Sequence, residues 1–209
     1  MRSGFAKFSL SFAVLLWLGV TVTGIFYLAK YANTPAESGT IYPTDFPADS
    51  AIPHNDQQPT LIFFSHPKCP CTRASLHELN RLMTDVDGKL KAYVVFTKPV
   101  GSGDDWAQTD LRTIAENIPN VRVLIDDNER ETKVFNAQTS GLVLLYDRNG
   151  NLRYDGGITA SRGHEGDNTG RSAIAGVINQ DYDKTSKMPV FGCSLSDKNC
   201  RNETSEYAQ

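Results

Sequence analysis

Two cysteines separated by one proline, Cys69-Pro70-Cys71, follow the apolar pair Phe63-Phe64 and the turn Ser65-His66-Pro67-Lys68, and stand where a helix opens. The thiolate is the reactive form of cysteine, and the unpaired N–H groups and positive dipole end of a helix N-terminus stabilise it. Lys68 and Arg73 add positive charge beside the pair. The chemistry this implies is reversible thiol-disulfide exchange, with Cys69 attacking and Cys71 resolving. Cys69, ahead of the helix, is expected to be the exposed sulfur, and Cys71, in the first turn, to face the interior. The plainer alternative is two small residues that merely pack. A disulfide between cysteines one residue apart closes a very small ring, and strain of that kind makes a bond easier to reduce, so the pair is expected to be oxidising. The same spacing also suits two sulfur ligands on one soft ion. A copper ion held by Cys69, Cys71, His164 and Cys193, with His66 as a further donor, is the alternative to a cofactor-free centre.

These cysteines need a strand before them and a helix after them. Thr60-Leu61-Ile62-Phe63-Phe64 reads as a buried strand, and residues 71–85 carry Leu76, Leu79, Leu82 and Met83 at helical spacing. Further strands are expected at 91–97, 121–125, 142–146 and 151–154, the last two joined by the turn Asp147-Arg148-Asn149-Gly150. Helices are expected at 105–118, stopped by Pro119, then from the cap Asp126-Asp127-Asn128 to Phe135, and at 170–182. The order β-α-β-α-β-α-β-β-α implies an α/β fold with a mixed sheet covered on both faces.

The chain has 209 residues, 40% hydrophobic and 22% charged, with a formal net charge of -3, which gives no electrostatic basis for a nucleic-acid partner. Arg2 and Lys7 precede an uncharged apolar stretch at 8–29, long enough for a bilayer, and Tyr27, Lys30 and Tyr31 crowd the place where a cleavage site would lie. The organisation read from this is a cytoplasmic stub at 1–7, a transmembrane signal anchor at 8–29, a Pro-rich tether at 30–57, a folded domain at 58–185 and a cysteine-containing tail at 186–209. In that tether, Ile41, Tyr42 and Phe46 are the residues able to dock on the domain. The basic N-terminus places the domain outside the cytoplasm, in a bacterial periplasm, where cysteines can oxidise.

Two other segments carry candidate chemistry. Residues 161–168 pack Arg162, His164, Glu165 and Asp167 between glycines; Arg162 or His164 near Cys69 would lower its pKa or exchange protons with it, while a solvated turn is the alternative. Cys193 and Cys200 follow the last helix, and either they close a structural disulfide or Cys193 folds back as a third redox partner. His54 and His77 read as surface residues.

Residues 58–182 resemble the membrane-anchored thioredoxin-like proteins of the TlpA/ResA kind, including the RedB-like subgroup. Three pieces carry the resemblance: the strand from Phe63 into Cys71, the turn Asp126-Asp127-Asn128-Glu129, and the hairpin Leu144-Leu145-Tyr146-Asp147-Arg148-Asn149-Gly150. It implies a thioredoxin-like fold, no cofactor, a protein thiol or disulfide as partner, and a membrane tether through the N-terminal helix. Two positions depart from the pattern. Lys68 stands where the family has its first cysteine, and Gly141 stands where it has a cis-proline beside which substrate thiols pair with the backbone. Glycine tolerates that backbone without fixing it.

Overall fold

A computed structural model describes residues 2–36, 41–54, 56–179 and 186–196. The chain divides into two units, Met1–Thr34 and Pro35–Gln209. The first is one helix, α1 (Arg2–Asn33), longer than the span expected from the sequence. Its Leu10–Asn33 portion has a mean hydropathy of 2.1, and by length and composition it can cross a membrane. Leu15, Trp17, Val20, Phe26 and Leu28 are all exposed along it. A helix that is apolar all round is suited to lipid rather than to one wet face.

The second unit runs β1 (Thr60–Ser65), α2 (Thr72–Asp85), β2 (Lys91–Lys98), α3 (Asp110–Glu116), β3 (Val121–Asp127), α4 (Arg130–Val134), β4 (Leu142–Tyr146), β5 (Leu152–Gly156), α5 (Thr169–Ile178) and β6 (Ser186–Lys187). Among the described residues these strands form one sheet in the order β3-β2-β1-β4-β5-β6. Strands β1, β2 and β3 are mutually parallel, β4 runs antiparallel to β1, β5 antiparallel to β4, and β6 parallel to β5. This is the thioredoxin-like arrangement, and β1 at its centre delivers the cysteine turn.

Period-two alternation puts β1 side chains into two cores. Leu61 and Phe63 join Leu76, Leu79 and Leu82 of α2 with Ile174 and Val177 of α5. On the opposite face Ile62 and Phe64 meet Phe135, Tyr146 and Ile52. Each such side chain contributes about 1.5–3 kcal/mol through burial, so the strand end that launches the cysteines is held from both sides.

Two local expectations change. The helix expected at 105–118 shortens to α3, because residues 103–108 make turns in which the Trp106 N–H donates to the Gly103 carbonyl and the Trp106 indole Nε1 donates to Thr97 O at 3.0 Å. Trp106 therefore covers the end of β2 instead of completing a helical stripe. The helix expected at 170–182 ends at Ile178, with Asn168 capping its start by accepting from the Arg171 N–H; residues 180–182 lie outside the described residues. Part of the segment at 30–57 lies on the sheet, and of the three residues read as able to dock, Tyr42 and Phe46 pack on the core while Ile41 is exposed. The Phe46 N–H donates to Gly150 O and the Leu152 N–H to Thr44 O, each at 2.7 Å, while Ile52 is buried and Phe46 packs edge-on against Tyr146 and Phe135.

Candidate active site

The turn between β1 and α2 is tied to the sheet mainly through one hydroxyl. Ser140 Oγ accepts from the His66 N–H at 3.0 Å and lies 3.0 Å from Thr72 Oγ1, so the residue before the turn and the first residue of α2 share one buried partner. The chain then winds tightly, the Cys69 N–H donating to His66 O and the Thr72 N–H to Cys69 O, both at 3.1 Å. Cys71 is the N-cap in right-handed helical geometry and offers no side-chain cap. Lys68 places its Nζ 4.1 Å from the centre of the Trp106 ring, and Arg73 pairs with exposed Asp110.

The exposure expected for the two cysteines is inverted. Cys69 is fully buried, at 0% exposure, and Cys71 is half-buried. The reason lies far along the chain, where Cys193 brings its Sγ to 2.9 Å from Cys69 Sγ. That is outside the covalent S–S length of about 2.05 Å, and the two thiols are within hydrogen-bonding reach. Of the two alternatives for Cys193, the described residues place it at the cysteine turn; Cys200 lies outside them.

The tail that carries Cys193 is held by backbone pairing. The Ser140 N–H donates to Cys193 O and the Leu195 N–H to Gln138 O, both at 2.8 Å, and Thr139 and Ser194 form an antiparallel bridge. Phe191 and Leu195 are buried to either side of the cysteine. A Cβ at Gly192 would collide with the Ser140 carbonyl, so only glycine permits this approach. Gly141, at φ +95°, likewise uses glycine's freedom; its N–H donates to Phe64 O at 2.8 Å, and among the described residues no peptide bond is cis.

Arg162 links the 161–168 loop to both cysteine segments. Its Nη1 donates to Gly192 O at 2.7 Å, and its guanidinium also reaches Cys71 as a hydrogen-bond donor and charge partner. The loop is in turn held by Glu78, a fully buried carboxylate on α2 that sequence reading missed. Glu78 accepts from the Gly166 N–H at 2.8 Å and from Asn168 Nδ2 at 3.1 Å, and pairs with Arg81 at 2.7 Å and Arg171 at 3.0 Å. The one hint in the sequence was a glutamate beside Leu79, on the stripe of α2 that faces inward.

These contacts set the charge. Hydrogen bonds from the thiols of Cys193 and then Cys71 hold the Cys69 pKa far below the ordinary cysteine value, outweighing burial, with backbone N–H groups of Cys193 and Cys71 assisting. Cys71 moves the other way. Its proton is retained as the donor to Cys69, burial and the neighbouring thiolate push in the same direction, and Arg162 only partly opposes them. The sulfur at the centre is Cys69, buried between Cys193 and Cys71 and biased toward its thiolate.

His164, expected near the sulfurs, is exposed on its loop and makes no hydrogen bond or ion pair with them among the described residues; its ring lies toward Gly166. His77 pairs with Glu165 at 2.7 Å, and His54 stacks on Phe46 and lies 2.9 Å from Thr60 Oγ1. Of the donors expected for copper, Cys69, Cys71 and Cys193 come together and His164 does not; among the described residues no group of three or more His, Cys, Asp and Glu side chains is arranged to hold a metal ion.

No family model matches the chain, and no curated protein does. Solved structures do. An uncharacterised conserved protein from Geobacillus kaustophilus superposes with a TM-score of 0.62 at 19% identity, covering 79% of this chain and 97% of that one. A hypothetical protein from Sinorhizobium meliloti gives 0.61 at 18% identity, covering 78% and 97%. A secreted disulfide oxidoreductase from Mycobacterium tuberculosis gives 0.41 at 13% identity, covering 59% and 81%, a superposition too loose to argue from. At these identities the likeness speaks to the fold, and the chemistry rests on the sulfurs.

Proposed function

We propose that this chain is a membrane-tethered, extracytoplasmic thiol-disulfide oxidoreductase built on Cys69 and its thiol neighbours. The observation that carries the reading is the Cys69 sulfur, fully buried at the strand-to-helix turn 2.9 Å from Cys193 Sγ, where hydrogen bonds from the neighbouring cysteines lower its pKa. A thiolate so stabilised is a good leaving group, and stabilising the reduced form makes the corresponding disulfide oxidising. Cys71 is suited to resolve. While Cys69 is a thiolate, that thiolate and burial hold the Cys71 proton on; once Cys69 enters a disulfide, its charge is gone and Arg162 favours Cys71 ionisation. The extracytoplasmic placement is supported by the N-terminal apolar helix with Arg2 and Lys7 before it.

The test uses the full chain in detergent, oxidised and then mixed with a two-cysteine peptide whose fluorescence reports ring closure. Wild type oxidises the peptide, and Cys69→Ser loses that activity; a Cys69→Ser protein as fast as wild type overturns the proposal. Stoichiometric copper with no reversible disulfide would replace it with an ion-binding role. Labelling of Cys71 in intact cells by a membrane-impermeant maleimide checks the compartment, and protection from that reagent until lysis overturns it.

A further inference from the structure

Cys69 offers no surface, so a protein thiol cannot touch its sulfur in this conformation, whereas Cys193, 2.9 Å away, is half-buried and faces both the core and solvent. Its position is built rather than incidental. Backbone bonds to Gln138 and Ser140 set the register, Phe191 and Leu195 anchor the flanks, Gly192 allows the close approach, and Arg162 clamps the Gly192 carbonyl. An extended segment added to another by main-chain pairing, with alternate side chains buried, is the way a bound peptide is held. Here the bound peptide belongs to the chain itself.

We propose that Cys193 is a catalytic residue, that Cys69–Cys193 is the working disulfide, and that incoming dithiols attack it at Cys193. The proposal rests on the oxidoreductase reading and specifies which sulfurs carry it. One thiol of a substrate dithiol loses its proton to solvent and attacks Cys193 Sγ. The Cys69–Cys193 bond breaks, a substrate–Cys193 mixed disulfide forms, and Cys69 departs as a thiolate to which the Cys71 thiol still donates. The second substrate thiol, deprotonated, attacks the substrate sulfur of that mixed disulfide, and Cys193 departs and takes up a proton. Two electrons have passed, the substrate is a disulfide, and the protein holds two reduced cysteines. A partner protein's disulfide, reduced in exchange, restores the bond. Geometry fits these roles, since the attacked sulfur is the half-buried, reachable one and the leaving sulfur is the fully buried one, whose pKa its hydrogen bonds lower, and a lower leaving-group pKa speeds exchange.

The experiment takes the full chain in detergent, oxidises it, quenches it with acid and maps disulfides by peptide mass spectrometry, in wild type and in the Cys69→Ser, Cys71→Ser and Cys193→Ser proteins, alongside the fluorescent peptide assay. Expected are a Cys69–Cys193 bond in wild type and in Cys71→Ser, and loss of peptide oxidation in Cys193→Ser. A second measurement is independent of variant folding: brief exposure of oxidised wild type to reduced glutathione places the adduct on Cys193. A bond only between Cys69 and Cys71, a Cys193–Cys200 bond, an adduct on Cys69, or full activity in Cys193→Ser overturns the proposal. If Cys69→Ser is inactive while Cys193→Ser is fully active, this proposal alone falls; if Cys69→Ser is fully active, the oxidoreductase reading falls with it.

Discussion

The turn at residues 66–71 and the tail at residues 188–195 each bring sulfur to the same point, but they are held differently. The turn grows out of β1, which is buried on both faces, and is secured by the Ser140 hydroxyl shared between His66 and Thr72. The tail lies on the domain through main-chain bonds to residues 138–140, two apolar anchors and the Arg162 clamp. Displacing the turn disrupts the core; displacing the tail costs a few hydrogen bonds that water can replace and the burial of Phe191 and Leu195. The fixed sulfur, Cys69, is therefore suited to be the buried leaving group, and the one on the lighter mooring, Cys193, to meet a partner.

The contrast can be broken most severely at Cys69. Cys69→Ser should abolish dithiol oxidation, while a fold intact by circular dichroism shows that the loss is chemical. Next is the support of the loop. Glu78→Ala removes the buried partner of Arg81 and Arg171 and should destabilise the protein by about 3 kcal/mol, toward the lower end for a broken buried pair because Arg81 stays half in water; urea unfolding measures it. Ser140→Ala leaves the buried His66 N–H without its acceptor and should cost about 1–3 kcal/mol by the same measurement.

The tail should register first in the charge of Cys69. Thiolate absorbance at 240 nm should persist in wild type well below the ordinary cysteine value of about 8.5, and in Gly192→Ala, which pushes the tail off Ser140, the transition should move up toward that value. The sign follows from a folded pKa below the unfolded one: the stability Cys69 contributes is complete above about pH 8.5 and drains away as the pH falls toward the folded value. The smallest effect belongs to Arg73→Ala, whose partner Asp110 is exposed; the melting temperature should not measurably change.

Much of the scaffold was legible because it is local. The apolar run Thr60-Leu61-Ile62-Phe63-Phe64, the helical stripe Leu76, Leu79, Leu82 and the Asp147-Arg148-Asn149-Gly150 turn each encode a short-range conformation, and the observed order of elements follows them. Trp106 misled, because an apolar residue at helical spacing can be buried just as well by a turn that lets its indole reach Thr97. Glu78 was overlooked because a carboxylate becomes an inward anchor only when residues near 166, 168 and 171 arrive to meet it.

The sequence by itself determined that two cysteines stand at a strand-to-helix turn in an α/β domain behind an apolar helix, since hydrophobic period and helix-start chemistry act over a few residues. Which sulfur is buried, which is reachable and which keeps its proton was decided by the tertiary structure alone. Cys69 and Cys193 are 124 residues apart in the chain, and only the packing of the tail against residues 138–140 and Arg162 brings their sulfurs within 2.9 Å. Burial and hydrogen-bond partners at that distance, rather than the residue types, set the charge on which the chemistry depends.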